Sequence, residues 1–159
     1  MQINLFRFIL FILIITTIQQ IVNSSTPLYI DCIGLVLVIL LITNTEYHIR
    51  FLIILSIFAD LVGHWYFGTH LLAITILSFI SKYVVDFYKI CNNLQKTIIC
   101  GVFYAILLLI IGASGVITHN SYFSWISFTF EIFIVTPIIL WLFHSFIIRI
   151  PPNIIRMDN

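Results

Sequence analysis

The sequence predicts an all-α fold, a polytopic membrane bundle of six transmembrane helices forming one integral membrane domain over 1–159. Three observations predict it. The chain is 62% hydrophobic and 8% charged, with a mean hydropathy of +1.17, whereas soluble domains carry roughly a quarter charged residues. Six apolar runs are separated by short polar connectors, none long enough to build a soluble core. All seven Lys and Arg residues fall on alternate connectors.

A helix needs about 20 apolar residues to cross the hydrocarbon core, with a lower limit near 17. The first run, Leu5 to Val22, ends at "NSSTP". It is longer than a signal-peptide core and no small-residue cleavage site follows, so it reads as a retained helix. The second, Leu28 to Ile42, closes at "TNTEYHIR", and the third is Phe51 to Tyr66. Both are short, which suits tilted helices or helices packed inside the bundle where the membrane is thinned. The fourth is His70 to Tyr88, the fifth Thr97 to Thr118, and the sixth Phe123 to Ile148, before "RIPPN".

With the N-terminus inside, six crossings put Arg7, Arg50, Lys82, Lys89, Lys96, Arg149 and Arg156 all on the cytoplasmic side. Lys82 lies within the fourth run and reaches that side by snorkelling. The outer turns hold no basic residue, which is the positive-inside pattern with both termini cytoplasmic. Trp65, Tyr66, Tyr122 and Trp125 mark the outer interface, and Tyr47, Tyr83 and Tyr88 the inner one. A net charge of +1 gives no support to nucleic-acid binding. Cys32, Cys91 and Cys100 have no metal-type spacing and read as apolar filler.

The stretch "IFADLVGHWYFGTHLLA" carries the most information. An Asp near the centre of a membrane helix costs about 2.5–3.5 kcal/mol by insertion scales, so Asp60 must face protein or water. Ser56, Ala59, Asp60 and Gly63 share one small face at 3/4 spacing, which lets another helix approach. The sequence therefore expects Asp60 to be buried between helices with its oxygens hydrogen-bonded. A proton relay or a substrate ligand is the alternative. In the first reading Asn at 60 keeps most of the role, because an amide both donates and accepts. Gly63 and Gly68 suit a tight outer hairpin, with Trp65 as its interfacial anchor and Thr69 or Asp60 satisfying the first amides of the fourth helix. His64, His70 and His119 with Asp60 would make a zinc-type donor set, but the spacing is not diagnostic. No metal or cofactor is assigned.

Glu131 is the second acid within an apolar run, on one face with Ser124 and Ser127, and Pro137 predicts a kink further in. Asp31 opens the second helix, where an anion suits a helix N-terminus at the interface. Gly101, Ala105 and Gly112 form a small stripe on the fifth helix, suited to packing within the chain or against a partner. No nucleophile elbow, HExxH, P-loop or CxxC is present, so no catalytic residue is assigned and no enzyme is predicted.

These features together resemble the MreD family of bacterial rod shape-determining membrane proteins. The likeness rests on the length and six-helix layout, on "TPLYID" at the second helix, on "FADLVGHWYFGTHLLA" with Asp60, Gly68 and His70, and on the short basic tail. Here Pro27 and Asp31 are separated, and Gly63 stands one place off the pattern. The resemblance implies a fold similar to the substrate-binding subunits of energy-coupling-factor transporters. It also implies a non-enzymatic scaffold role in cell-wall (peptidoglycan) elongation at the inner membrane. Implied partners are an MreC-like single-pass protein, an MreB-like filament, and a RodA-like polymerase with its transpeptidase. The alternative is a vitamin-like small-molecule binding or transport subunit.

Overall fold

The computed structural model describes residues 5–26, 29–43, 48–63, 67–119 and 124–147. Among these the secondary structure is helical: α1 (Leu5–Ser25), α2 (Cys32–Thr43), α3 (His48–Val62), α4 (Thr69–Ile90) and α5 (Asn93–His119). A sixth rod follows in three consecutive pieces: α6 (Trp125–Phe130), a π-helical turn (Glu131–Val135) and α7 (Thr136–Ile147). Four spans are long and apolar enough to cross a membrane: Phe8–Ser25, Thr69–Ile90, Asn93–Ser114 and Trp125–Phe143. The apolar stretches of α2 and α3 are shorter. Trp65, His64 and Tyr66 lie outside the described residues, as does Tyr122.

α2 is the axis of the bundle. Its twelve residues, "CIGLVLVILLIT", are apolar on every side, so no face is suited to water. At about 1.5 Å per residue it is about 18 Å long, against a hydrocarbon thickness near 30 Å. It is walled by α1, α3, α4, α5 and α7, and every residue from Cys32 to Ile42 is buried. The helices around it turn large apolar side chains outward instead: Ile14, Phe79, Ile98 and Trp141 are all exposed. Apolar side chains point both into the core and out of the molecule, which fits a bilayer as the surrounding solvent.

The chain reaches α2 through Tyr29–Asp31, a non-helical segment whose backbone is satisfied by side chains from other elements. Asn23 on α1 accepts from Ile30 N–H (2.8 Å) and donates to Ile30 C=O (3.0 Å). Ser127 accepts from Tyr29 N–H (3.3 Å) and Glu131 from Asp31 N–H (3.3 Å). Irregular backbone is tolerated at membrane depth only when it is enclosed and paired in this way.

Two helix ends show how the sequence sets local structure. Asn92 and Gln95 form a reciprocal capping box at the start of α5, with Asn92 Oδ1 accepting from Gln95 N–H (2.9 Å) and Gln95 Oε1 from Asn92 N–H (3.0 Å). This closes the α4–α5 hairpin at Cys91 and Asn92. At Pro137 the chain has a π-helical turn just ahead of the proline. Thr136 sends both its backbone N–H and its hydroxyl (3.0 Å) to Glu131 C=O, five residues back. Proline cannot supply the next ladder bond, and the widened turn accommodates that gap while directing Glu131 into the core.

Candidate functional site

The polar residues converge at the N-terminal ends of α2 and α4. His70, in the first turn of α4, bridges two carboxylates. Its Nδ1 lies 2.7 Å from Asp60 Oδ1 on α3, and its Nε2 lies 2.7 Å from Asp31 Oδ2 at the head of α2. All three side chains are at most 2% exposed. Each ring nitrogen faces a carboxylate oxygen, so two protons are shared among three groups. The cluster carries one net negative charge whichever atoms hold those protons.

That charge sits where helix geometry favours it. Asp60 caps α4 from a neighbouring helix: Oδ2 accepts from Gly68 N–H (2.7 Å), and Oδ1 from Thr69 Oγ1–H (2.8 Å) and His70 N–H (3.0 Å). Gly68 makes this possible by adopting φ 95°, a left-handed conformation that L side chains avoid. Asp31 caps its own helix, with Oδ1 accepting from Gly34 N–H (3.0 Å). Gln19 on α1 accepts from the next free amide, Ile33 N–H (3.2 Å). Two positive helix ends thus face one buried negative cluster.

A second group adjoins it. Tyr104 of α5 donates to Asp31 C=O (2.6 Å) and also contacts Glu131 Oε2. A tyrosine has one proton, so the Tyr104 hydroxyl shares it between the Asp31 carbonyl and the Glu131 carboxyl, which also accepts from Asp31 N–H. Tyr104 and Glu131 are buried. The π-helical turn, α5 and the head of α2 are thereby tied together.

The sequence-expected residues separate into three groups. Asp60, Gly68, His70 and Glu131 are brought together here. Ser56 and Ala59 on α3 are buried, as is Gly63 in the turn just after it, and Gly63 C=O accepts from the Tyr29 hydroxyl. Gly101 is buried on α5, with Ala105 and Gly112 half-buried on the same helix, and Pro137 is half-buried behind the π-helical turn. Asp31 is 1% exposed, its carboxylate held by His70 Nε2 and by Gly34 N–H. Tyr104 and Gln19 were not singled out by sequence. A tyrosine or glutamine inside an apolar run was the available signal, since each needs a partner when buried.

The arrangement limits the chemistry. Both nitrogens of His70 are occupied by carboxylates, leaving none to activate a nucleophile or bind a metal. Among the described residues no group of three or more His, Cys, Asp or Glu side chains has a metal-binding arrangement. The capping role also revises the expectation for Asn at 60. Asp60 accepts on both oxygens, so an amide NH2 in either place faces a donor. Asp60→Asn should therefore cost roughly 1–3 kcal/mol, and Asp60→Leu more, as lower melting temperatures in thermal denaturation of the detergent-solubilised protein. No family model, curated protein or solved structure matches the chain.

Proposed function

We propose that the chain is a non-enzymatic membrane scaffold of the cell-wall elongation machinery, acting in the manner of MreD-type rod shape-determining proteins. The observation that carries this reading is the use made of the buried acids. Asp31, Asp60 and Glu131 bond to helix ends, to His70 and to Tyr104 within the protein. The residues most costly to place in a bilayer thus serve to fix the relative positions of α2, α3, α4, α5 and the π-helical turn, as a rigid platform requires. The resemblance noted in the sequence supplies the biological setting.

In this reading the chain crosses the bacterial inner membrane six times, with both termini cytoplasmic. The one-sided distribution of the seven basic residues supports the count. So do α1 and α3, which run in the same direction, as first and third crossings must: Phe8 meets Phe51 and Gln20 bonds Val62. Reporter fusions after Thr118 and after Asn159 are expected to mark opposite sides of the membrane. Fusions marking the same side would overturn the six-crossing count.

An MreC-like transmembrane helix would dock on the outward face of α5. Ile98, Val102, Ala105, Leu109 and Gly112 recur there at alternating steps of four and three, with large exposed side chains beside two small half-buried ones. Small residues let helix backbones approach where no hydrophobic force drives association. Cysteine at Val102 or Leu109, paired with a cysteine scan of the partner helix, should cross-link at helical spacing. A chain that gives no cross-link and instead copurifies with an ATPase module and a retained vitamin-like ligand is a transport subunit.

A further inference from the structure

The acid–imidazole–acid cluster closes only with a fixed number of protons. His70 Nδ1 and Asp60 Oδ1 stand 2.7 Å apart, as do His70 Nε2 and Asp31 Oδ2. At that distance each pair needs one hydrogen between its atoms, since two bare lone pairs would repel. A neutral imidazole supplies one of the two. The other has to be bound from water. A further proton would have to turn an acceptor already in use into a donor. Asp60 Oδ2 accepts from Gly68 N–H, and Asp60 Oδ1 from Thr69 Oγ1–H and His70 N–H as well as from the ring. Asp31 Oδ1 accepts from Gly34 N–H, and Asp31 Oδ2 faces the ring.

No side chain supplies that positive charge instead. Among the described residues no Lys or Arg pairs with either carboxylate; Lys89 pairs with Asp86, exposed towards the other end of α4. The groups that face the cluster from the surrounding elements are neutral or acidic. Gln19 of α1 accepts from Ile33 N–H, Tyr104 of α5 donates to Asp31 C=O, and Glu131 of the π-helical turn accepts from Asp31 N–H. Cys32, next to Asp31 on α2, is a buried free thiol. The three bridging side chains are at most 2% exposed, so water does not stabilise the doubly negative cluster that loss of the second proton would leave.

We propose that the cluster is a proton-binding site coupled to closure of the bundle: α4 seats against α2 and α3 with the uptake of one proton, held between His70 and the carboxylates of Asp31 and Asp60. When the three side chains separate into water, both acids are ionised and the imidazole is neutral above its ordinary pKa of about 6.5, so that proton leaves. The closed form then holds one proton more than the open form. Stability therefore falls as pH rises above about 6.5, with the closed-to-open ratio dropping about tenfold for each pH unit. Between about pH 4 and 6.5 the open form holds the same proton, and the cluster adds no slope. The site does not depend on the scaffold reading, and it is tested on the purified chain alone.

Asp31→Asn supplies the second hydrogen covalently. Its oxygen can still accept from Gly34 N–H while its NH2 donates to His70 Nε2, and His70 Nδ1–H donates to Asp60. The unaltered chain and this variant are unfolded reversibly from mixed micelles with dodecyl sulfate at about pH 7.5 and 8.5, where free imidazole is neutral. Tryptophan fluorescence follows the transition. Relative to the variant, the unaltered chain should lose about tenfold in its folding equilibrium between the two pH values. Groups that titrate elsewhere, Glu131 and Tyr104 included, are common to both proteins and cancel in the comparison. Parallel pH dependence of the two proteins would overturn the proposal. So would a variant that does not assemble, because the amide would then fail to replace the proton.

Discussion

Replacing His70 with leucine is expected to destabilise the bundle by about 3–5 kcal/mol, the cost of removing one partner from a buried ion pair. The effect is large because two carboxylates depend on that ring. Without it, Asp31 and Asp60 face each other across an apolar gap in a medium that cannot hydrate them. Both remain at helix N-termini, so the residue lost is the one that makes their proximity tolerable. The measurement is thermal unfolding of the detergent-solubilised protein, followed by the fraction that elutes as a monodisperse species. A double-mutant cycle sharpens it. Asp31→Leu combined with His70→Leu should cost much less than the sum of the two single changes, because the pair then leaves fewer stranded groups. Additive costs would mean that the imidazole and the Asp31 carboxylate are not coupled.

Gly34→Ala should be almost as damaging as loss of the Asp31 cap itself. A Cβ on Gly34 would fall inside contact distance of Asp31 Oδ2, 2.9 Å from Asp31 Cγ and 3.2 Å from Leu107 Cδ2. The Asp31 carboxylate is held by Gly34 N–H and by His70, so it cannot step aside without breaking one of them. Overpacking in a filled core costs about 1–3 kcal/mol, and a strained cap adds to that. The comparison is Gly101→Ala. There a Cβ would meet only Ile132 Cγ2, at 3.8 Å, an ordinary contact. Alanine in a helix interior is favoured over glycine by roughly 0.5–1 kcal/mol, so Gly101→Ala should be neutral or slightly stabilising. Melting curves of the two variants side by side distinguish a glycine required by close approach from one that is not.

The contrast between these glycines shows what sequence could reveal. Gly101 belongs to a visible stripe with Ala105 and Gly112, and the stripe pointed to close packing that Gly101 itself does not require. Gly34 stands alone in "DCIGLVLV" and gave no signal, because its constraint is a carboxylate folded back over its own helix. Asp60 was legible: an acid in an apolar run, eight residues before Gly68, has few ways to be satisfied. Asp31 was not. An acid at the head of an apolar helix looks interfacial, and the residues that enclose it are His70, 39 positions on, and Tyr104, 73 positions on. Likewise Pro137 signalled a disturbed helix, but a π-helical turn depends on where Glu131 is needed, 100 positions from its Asp31 amide. The six runs were readable because a bilayer imposes length and apolarity locally. The partners of the polar residues were not, since pairing across the bundle leaves no periodic trace.

The central position of α2 also sets an order of assembly. Of the helices that wall it, only α1 precedes it in the chain; α3, α4, α5 and α7 are all synthesised afterwards. A twelve-residue helix is short for the hydrocarbon core, and α2 gains most of its walls only as its later neighbours arrive. Asp31 waits with it, and its imidazole partner is delivered only with α4. The acid–imidazole–acid bridge can therefore close only once α4 is in place. Chains interrupted before His70 should stay open at their centre, with α2 still accessible to membrane quality-control proteases.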